Sequence, residues 1–164
     1  MSISLEPAAA TDAAGLYAEL ALQAQALLAG EHDAVANAAN LAALIWQRVP
    51  DLNWAGFYFA RDGELVLGPF QGKPACVRIA FGRGVCGTAA ATRTTQLVAD
   101  VHAFDGHIAC DADSNAEIVV PLLRGAEVLG VLDLDSPTPG RFTAVDRDGL
   151  ERLADIWVAS LRAD

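Results

Sequence analysis

Two stretches of this chain are each written as strand, tight turn, strand. "NWAGFYFARDGELVLGPFQG" (53–72) places Trp54, Phe57, Tyr58 and Phe59 before an Arg-Asp-Gly turn and returns through 64–70. Aromatic and β-branched residues around an Asp-Gly pair are a strong short-range hairpin signal. A second pair of runs, 116–123 and 127–135, meets across "RGAE". Two hairpins commit the chain to an antiparallel sheet, which needs something to cover it.

The flanks supply that cover. From Asp12 to Ala29, Leu16, Leu20, Leu22, Leu27 and Leu28 recur among alanines at helical spacing, and Gly30 closes the run. Asp33 caps a second helix that runs to about Val49 and stops at Pro50. Thr143, with Asp146 three residues on, starts a last helix to about Leu161 as a partial capping box. Between the hairpins lie a short strand over 76–81, a glycine-led helix in "GRGVCGTAAATR" and a strand fragment over 95–99. The expected fold class is α+β. The expected organisation is one domain, with helices in 1–50, sheet and loops in 51–142 and a closing helix in 143–164. No linker, repeat or low-complexity segment divides it.

Composition narrows the partners. The chain is 53% hydrophobic and carries a net charge of −10. That charge opposes nucleic acid and anionic lipid, both of which need a positive footprint. The N-terminal segment has no basic region followed by an apolar run, and no apolar stretch is long enough to span a bilayer. A cytoplasmic location follows as the expectation. The three cysteines, Cys76, Cys86 and Cys110, do not suggest a structural disulfide framework in a reducing compartment.

The polar segment from Asp100 to Asn115 is long for a compact domain, and such loops are often functional. It carries Cys110 close to Asp111, Asp113 and Glu117. Negative neighbours raise a thiol's pKa, so the placement calls for an explanation. Cys86 stands near a helix start, where backbone N–H groups and the helix dipole favour thiolate. Which two cysteines can bridge is left open by the sequence. His102, His107 and Cys110 share the loop, but no close second pair of ligands accompanies them and no CxxC exists, so zinc is disfavoured and the histidines read as exposed loop residues. Asp133 and Asp135 are two apart on one strand and point to one face. Glu117, on the neighbouring strand, can share that face. Trp54 and Tyr58 also point one way, as core or as a pocket wall. The "GRGVCG" glycines lack the βαβ context of a dinucleotide site.

The segments "NWAGFY", "LGPFQGKPAC", "GRGVCGTAA", "VADVHAFDGHIACD", "SNAEIVVPL" and "GVLDLDSP" together resemble the free methionine-(R)-sulfoxide reductases, single GAF domains. The three cysteines stand ten and then twenty-four residues apart, a pattern that generic GAF domains lack. The resemblance implies a six-stranded antiparallel sheet packed with helices, usually as a dimer. It implies Cys110 as nucleophile and Cys76 as resolving partner, with Cys86 in a role that differs among members. It also implies Glu117, Asp133 and Asp135 as pocket acids, with Trp54 as aromatic wall. The activity implied is reduction of free methionine-R-sulfoxide by sulfenic-acid and disulfide chemistry, recycled by an external dithiol such as thioredoxin, with no metal or organic cofactor. The alternative is a GAF sensor that binds a small molecule or oxidant without turnover.

Overall fold

The computed structural model describes residues 12–108 and 110–162. Two helices come first, α1 (Ala13–Leu28) and α2 (Ala34–Arg48). Asp12 and Asp33 are their N-caps, each side chain accepting a backbone N–H of the first turn. The first hairpin is β1 (Trp54–Arg61) and β2 (Glu64–Gly72). Its two-residue connection, Asp62 and Gly63, has φ of 52° and 80°. Two successive positive φ values match the right-handed twist of the flanking strands, which is why Asp-Gly sits there.

Next come β3 (Arg78–Ala80), α3 (Gly84–Thr92) and β4 (Gln96–Val98). The second hairpin is β5 (Ala116–Arg124) and β6 (Glu127–Ser136), followed by α4 (Ala144–Ser160). The capping box at Thr143 is complete, with Asp146 accepting from the Thr143 backbone as well. All pairings are antiparallel, and the sheet order is β3-β2-β1-β6-β5-β4. The two hairpins thus lie side by side, joined through β1 and β6.

Each face of the sheet has its own core. Ala55, Phe57, Ile118, Val120, Leu132 and Leu134 pack with α1, α2 and α4. The alternate residues Tyr58, Val119 and Val131 pack with α3 instead. This is the two-residue period of the strands, and it decides where the site falls. Glu117, Asp133 and Asp135 share the parity of Val119 and Val131, so they face the α3 side. The single short helix there leaves room for a pocket that three helices on the other face do not.

One strand is shorter than its sequence suggests. Cys76 lies outside β3, because pairing with β2 runs only from Glu64↔Ala80 to Val66↔Arg78, with one further bond from Leu67 N–H to the Val77 carbonyl. Before that point the chain leaves the sheet and carries Cys76 toward the 100–115 loop.

Candidate active site

Strand pairing builds the floor of the site. Glu117 on β5 stands opposite Asp135 on β6, and Asp135 is also opposite Trp54 on β1. Asp133 is opposite Gly56. A Cβ at Gly56 would fall 2.3 Å from the Phe70 side chain, so only glycine lets Phe70 close in and stack on Trp54, with centroids 5.3 Å apart. Trp54, Tyr58 and the three acids line one pocket together with Cys86, His107 and Cys110. The rest of the lining comes from the 73–75 turn, the start of α3 and the 107–114 loop.

The two aromatics also hold the rim. Trp54 Nε1 donates to the Lys73 carbonyl at 3.1 Å, and Tyr58 Oη donates to the Cys76 carbonyl at 2.9 Å. Lys73 Nζ reaches across to Asp113 at 2.8 Å and Asp111 at 3.3 Å. Asn53 Nδ2 donates to Asp111 and to Ser114 Oγ. Opposite, Gly84 at φ +60° leaves space for Ile108, whose Cγ1 would be 3.1 Å from a Cβ there. The 100–115 loop is thereby fastened over the pocket from both sides. Cys76 and Cys110 are joined by a disulfide, their Cα atoms 6.1 Å apart. Cys110 is exposed and Cys76 half-buried.

Burial works against charge on the acids of the pocket floor. Glu117 and Asp133 are 6% and 5% exposed. Burial, and then the neighbouring carboxyls, push the pKa values of Glu117, Asp133 and Asp135 well above the usual carboxylate range. Glu117 and Asp133 each have a carboxyl oxygen within 4.8 Å of the other. Burial is the larger cause, ahead of the mutual repulsion of crowded acids. Asp111 goes the other way: the Asp113 backbone N–H and Lys73 hold its carboxyl below the usual range. Burial thus favours the neutral form of the floor acids, whereas Asp111 at the rim favours its ionised form.

Two sequence expectations are corrected. Cys86 is the third residue of α3, yet the helix start does not make it a thiolate. Its Sγ is turned to the sheet, 3.3 Å from Asp133 Oδ2 and 3.8 Å from Glu117 Oε1. Burial first, then those two acids, raise its pKa well above the ordinary thiol value. His107 is not an exposed loop residue either. Its side chain is 14% exposed, with Nε2 at 3.5 Å from Glu117 Oε2, and burial lowers its pKa. His102 is exposed as expected, with Nε2 at 3.0 Å from Asn115 Oδ1. His102, His107 and Cys110 do not gather as a ligand set. Among the described residues, Cys86, Glu117 and Asp133 do, with ligand atoms within 4.8 Å of one another.

The GAF domain family profile matches residues 35–159. The free methionine-R-sulfoxide reductase of Escherichia coli is 58% identical over 137 residues, covering 84% of this chain and 83% of that protein.

The chain belongs to the free methionine-R-sulfoxide reductase family of GAF domains.

The Saccharomyces cerevisiae free methionine-R-sulfoxide reductase is 46% identical over 146 residues, with 84% of this chain and 81% of that protein covered. The Neisseria meningitidis free methionine-R-sulfoxide reductase, solved in complex with its substrate, superimposes with a TM-score of 0.91 at 45% identity, covering 96% of this chain and 94% of that one. The six-stranded antiparallel sheet expected from the sequence is the sheet observed, and the fold is that of the family. Lys73 and His107 are the site residues that sequence reasoning missed. The signal for Lys73 was the chain's single lysine, three residues before a cysteine, in an acidic chain. The signal for His107 was its place three residues before Cys110.

Proposed function

We propose that this protein is a thiol-dependent oxidoreductase that reduces free L-methionine (R)-sulfoxide to methionine. One observation carries the reading: a disulfide between Cys76 and Cys110 stands at the rim of a pocket lined by three buried acids, whose pKa values burial raises. A sulfoxide is a poor electrophile until its oxygen receives a proton, and a buried neutral carboxyl is a proton donor near neutral pH.

Cys110 attacks the sulfoxide sulfur. Glu117 gives its proton to the oxygen, methionine departs, and Cys110 is left as a sulfenic acid. The Cys76 thiol then condenses with it, forming the disulfide and releasing water. An external dithiol such as thioredoxin returns both thiols by exchange and leaves oxidised itself. Glu117 suits the donor's role because His107, from the loop that bears Cys110, lies against its Oε2. Asp133 and Asp135 receive the substrate's ammonium, with Trp54 and Tyr58 as the wall for its methyl and methylene groups. An acidic setting for a cysteine nucleophile thus has a purpose: the same carboxyls recognise the amine and activate the oxygen. Cys86, buried and held between two acids, is a thiol rather than the resolving group in this scheme. No organic cofactor or metal takes part in these steps.

Among the described residues no helix is long and apolar enough to cross a membrane. The working setting is a cytoplasmic homodimer with thioredoxin as reductant. Consumption of free methionine-R-sulfoxide with thioredoxin, thioredoxin reductase and NADPH tests the reaction. Loss of NADPH oxidation on omitting the sulfoxide tests its dependence on substrate.

A further inference from the structure

Cys86 has no step in the chemistry above, yet its surroundings are specific. It projects from α3 toward Glu117 on β5 and Asp133 on β6, so three separate elements fix the three side chains. Their sulfur and oxygen atoms all lie within 4.8 Å of one another. Asp133 is 5% exposed, and its Oδ1 is buried without a hydrogen-bond partner. His107 Nε2 stands 3.5 Å from the second Glu117 oxygen.

Distances identify the ligand class. With zinc–sulfur near 2.3 Å and zinc–oxygen near 2.0–2.2 Å, sulfur and oxygen ligands of a tetrahedral ion stand about 3.5 Å apart. The observed separations of 3.3 and 3.8 Å from Cys86 Sγ to the two carboxyls bracket that value. A set of one thiol and two carboxyls, with an imidazole beside it, suits borderline cations and disfavours magnesium and calcium, which take oxygen ligands.

We infer that Cys86, Glu117 and Asp133, with His107 beside them, bind one divalent cation of the zinc class in the floor of the pocket. On binding, the Cys86 S–H bond and the O–H bond of each carboxyl that is still protonated break, sulfur–metal and oxygen–metal bonds form, and the released protons pass to buffer. No electrons move. The ion is an inhibitor, not a cofactor, because it occupies Asp133, which would meet the substrate's ammonium, and Glu117, which would give the proton. That competition rests on the reductase reading, whereas the binding does not.

Cadmium, whose thiolate complexes absorb in the ultraviolet, is the probe. It is titrated into protein kept oxidised, so that Cys76 and Cys110 stay in their disulfide and Cys86 is the sole thiol. The expected result is a sulfur-to-metal charge-transfer band that saturates at one equivalent, is displaced by zinc and is untouched by excess magnesium. Cys86→Ser should lose the band. Glu117→Gln, which keeps every thiol, should weaken binding at least about tenfold. Circular dichroism checks that both variants are folded. Absence of the band in the oxidised wild type, or unchanged cadmium affinity in both variants, overturns the inference. Neither outcome depends on turnover, so failure of the reductase reading would be seen separately.

Discussion

Tyr58 Oη donates a hydrogen bond to the backbone carbonyl of Cys76 at 2.9 Å, linking the pocket wall to the half-cystine at its rim. The bond holds Cys76 where it can meet Cys110. Removing it should loosen the resolving step and leave the first chemical step alone. Tyr58→Phe is expected to form its first equivalent of methionine at near the wild-type rate. Disulfide formation should then slow about two- to tenfold, the range of one net hydrogen bond of 0.5–1.5 kcal/mol. Rapid quench with thiol counting separates the two steps.

The cysteines should divide by stoichiometry. Cys110→Ser is expected to form no methionine, since no other side chain supplies the nucleophile. Cys76→Ser should give about one equivalent and then stall with thioredoxin, because only the resolving thiol is gone. Cys86→Ser should keep the Cys76–Cys110 disulfide on oxidation. Mass spectrometry of the oxidised peptides reads the pairing directly.

The buried acids link activity and stability to pH in a defined direction. Their folded pKa values are raised, so above the unfolded values, near 4.5 for Glu117 and 3.8 for Asp133, the folded state binds more protons. Stability therefore falls as pH rises from there toward the folded pKa values. Glu117→Gln and Asp133→Asn remove that effect. At pH 8 each should melt higher than wild type by roughly 2–4 °C, the response of a domain this size to about 1 kcal/mol, and the gain should vanish near pH 4. Activity moves oppositely. Glu117→Gln should lose two to four powers of ten in kcat and the alkaline limb of the pH profile, since its proton donor is gone. Substitution of the ammonium-binding acids, Asp133 or Asp135, should act mainly on KM.

Much of this site was legible in the strands and little of it in the loops. Asp133 and Asp135 share a face by strand parity, but Glu117 meets Asp135 rather than Leu134 only because an irregularity at Leu122–Leu123 shifts the hairpin register by one. The Asp62–Gly63 turn was legible because Asp-Gly is one of the few pairings that tolerate two positive φ values easily. His107 and Lys73 lie on segments without periodicity, where nothing in the sequence says which way a side chain turns. Cys86 was misjudged for a different reason. The backbone field at a helix start is local and visible in sequence, but the two acids opposite arrive from strands 31 and 47 residues away. Burial and those acids outweigh a surface dipole effect of 0.3–1 kcal/mol.

Selectivity for the free amino acid follows from the acids. A peptide bond or N-acetyl group removes the ammonium, and a charge-assisted contact is worth about 1.5–3 kcal/mol. N-acetylmethionine sulfoxide should therefore lose one to two powers of ten or more in kcat/KM relative to the free amino acid. Equal values for both would remove the ammonium from the recognition scheme.

The most direct measurement is a single turnover of the reduced enzyme, without reductant, against each epimer of free methionine sulfoxide. Methionine is quantified and free thiols are counted. The R epimer is expected to yield one equivalent of methionine with loss of two thiols, recovered as the Cys76–Cys110 disulfide, and the S epimer to yield none. Binding of the R epimer with no methionine formed and all three thiols retained would contradict the reductase reading and make the pocket that of a sensor.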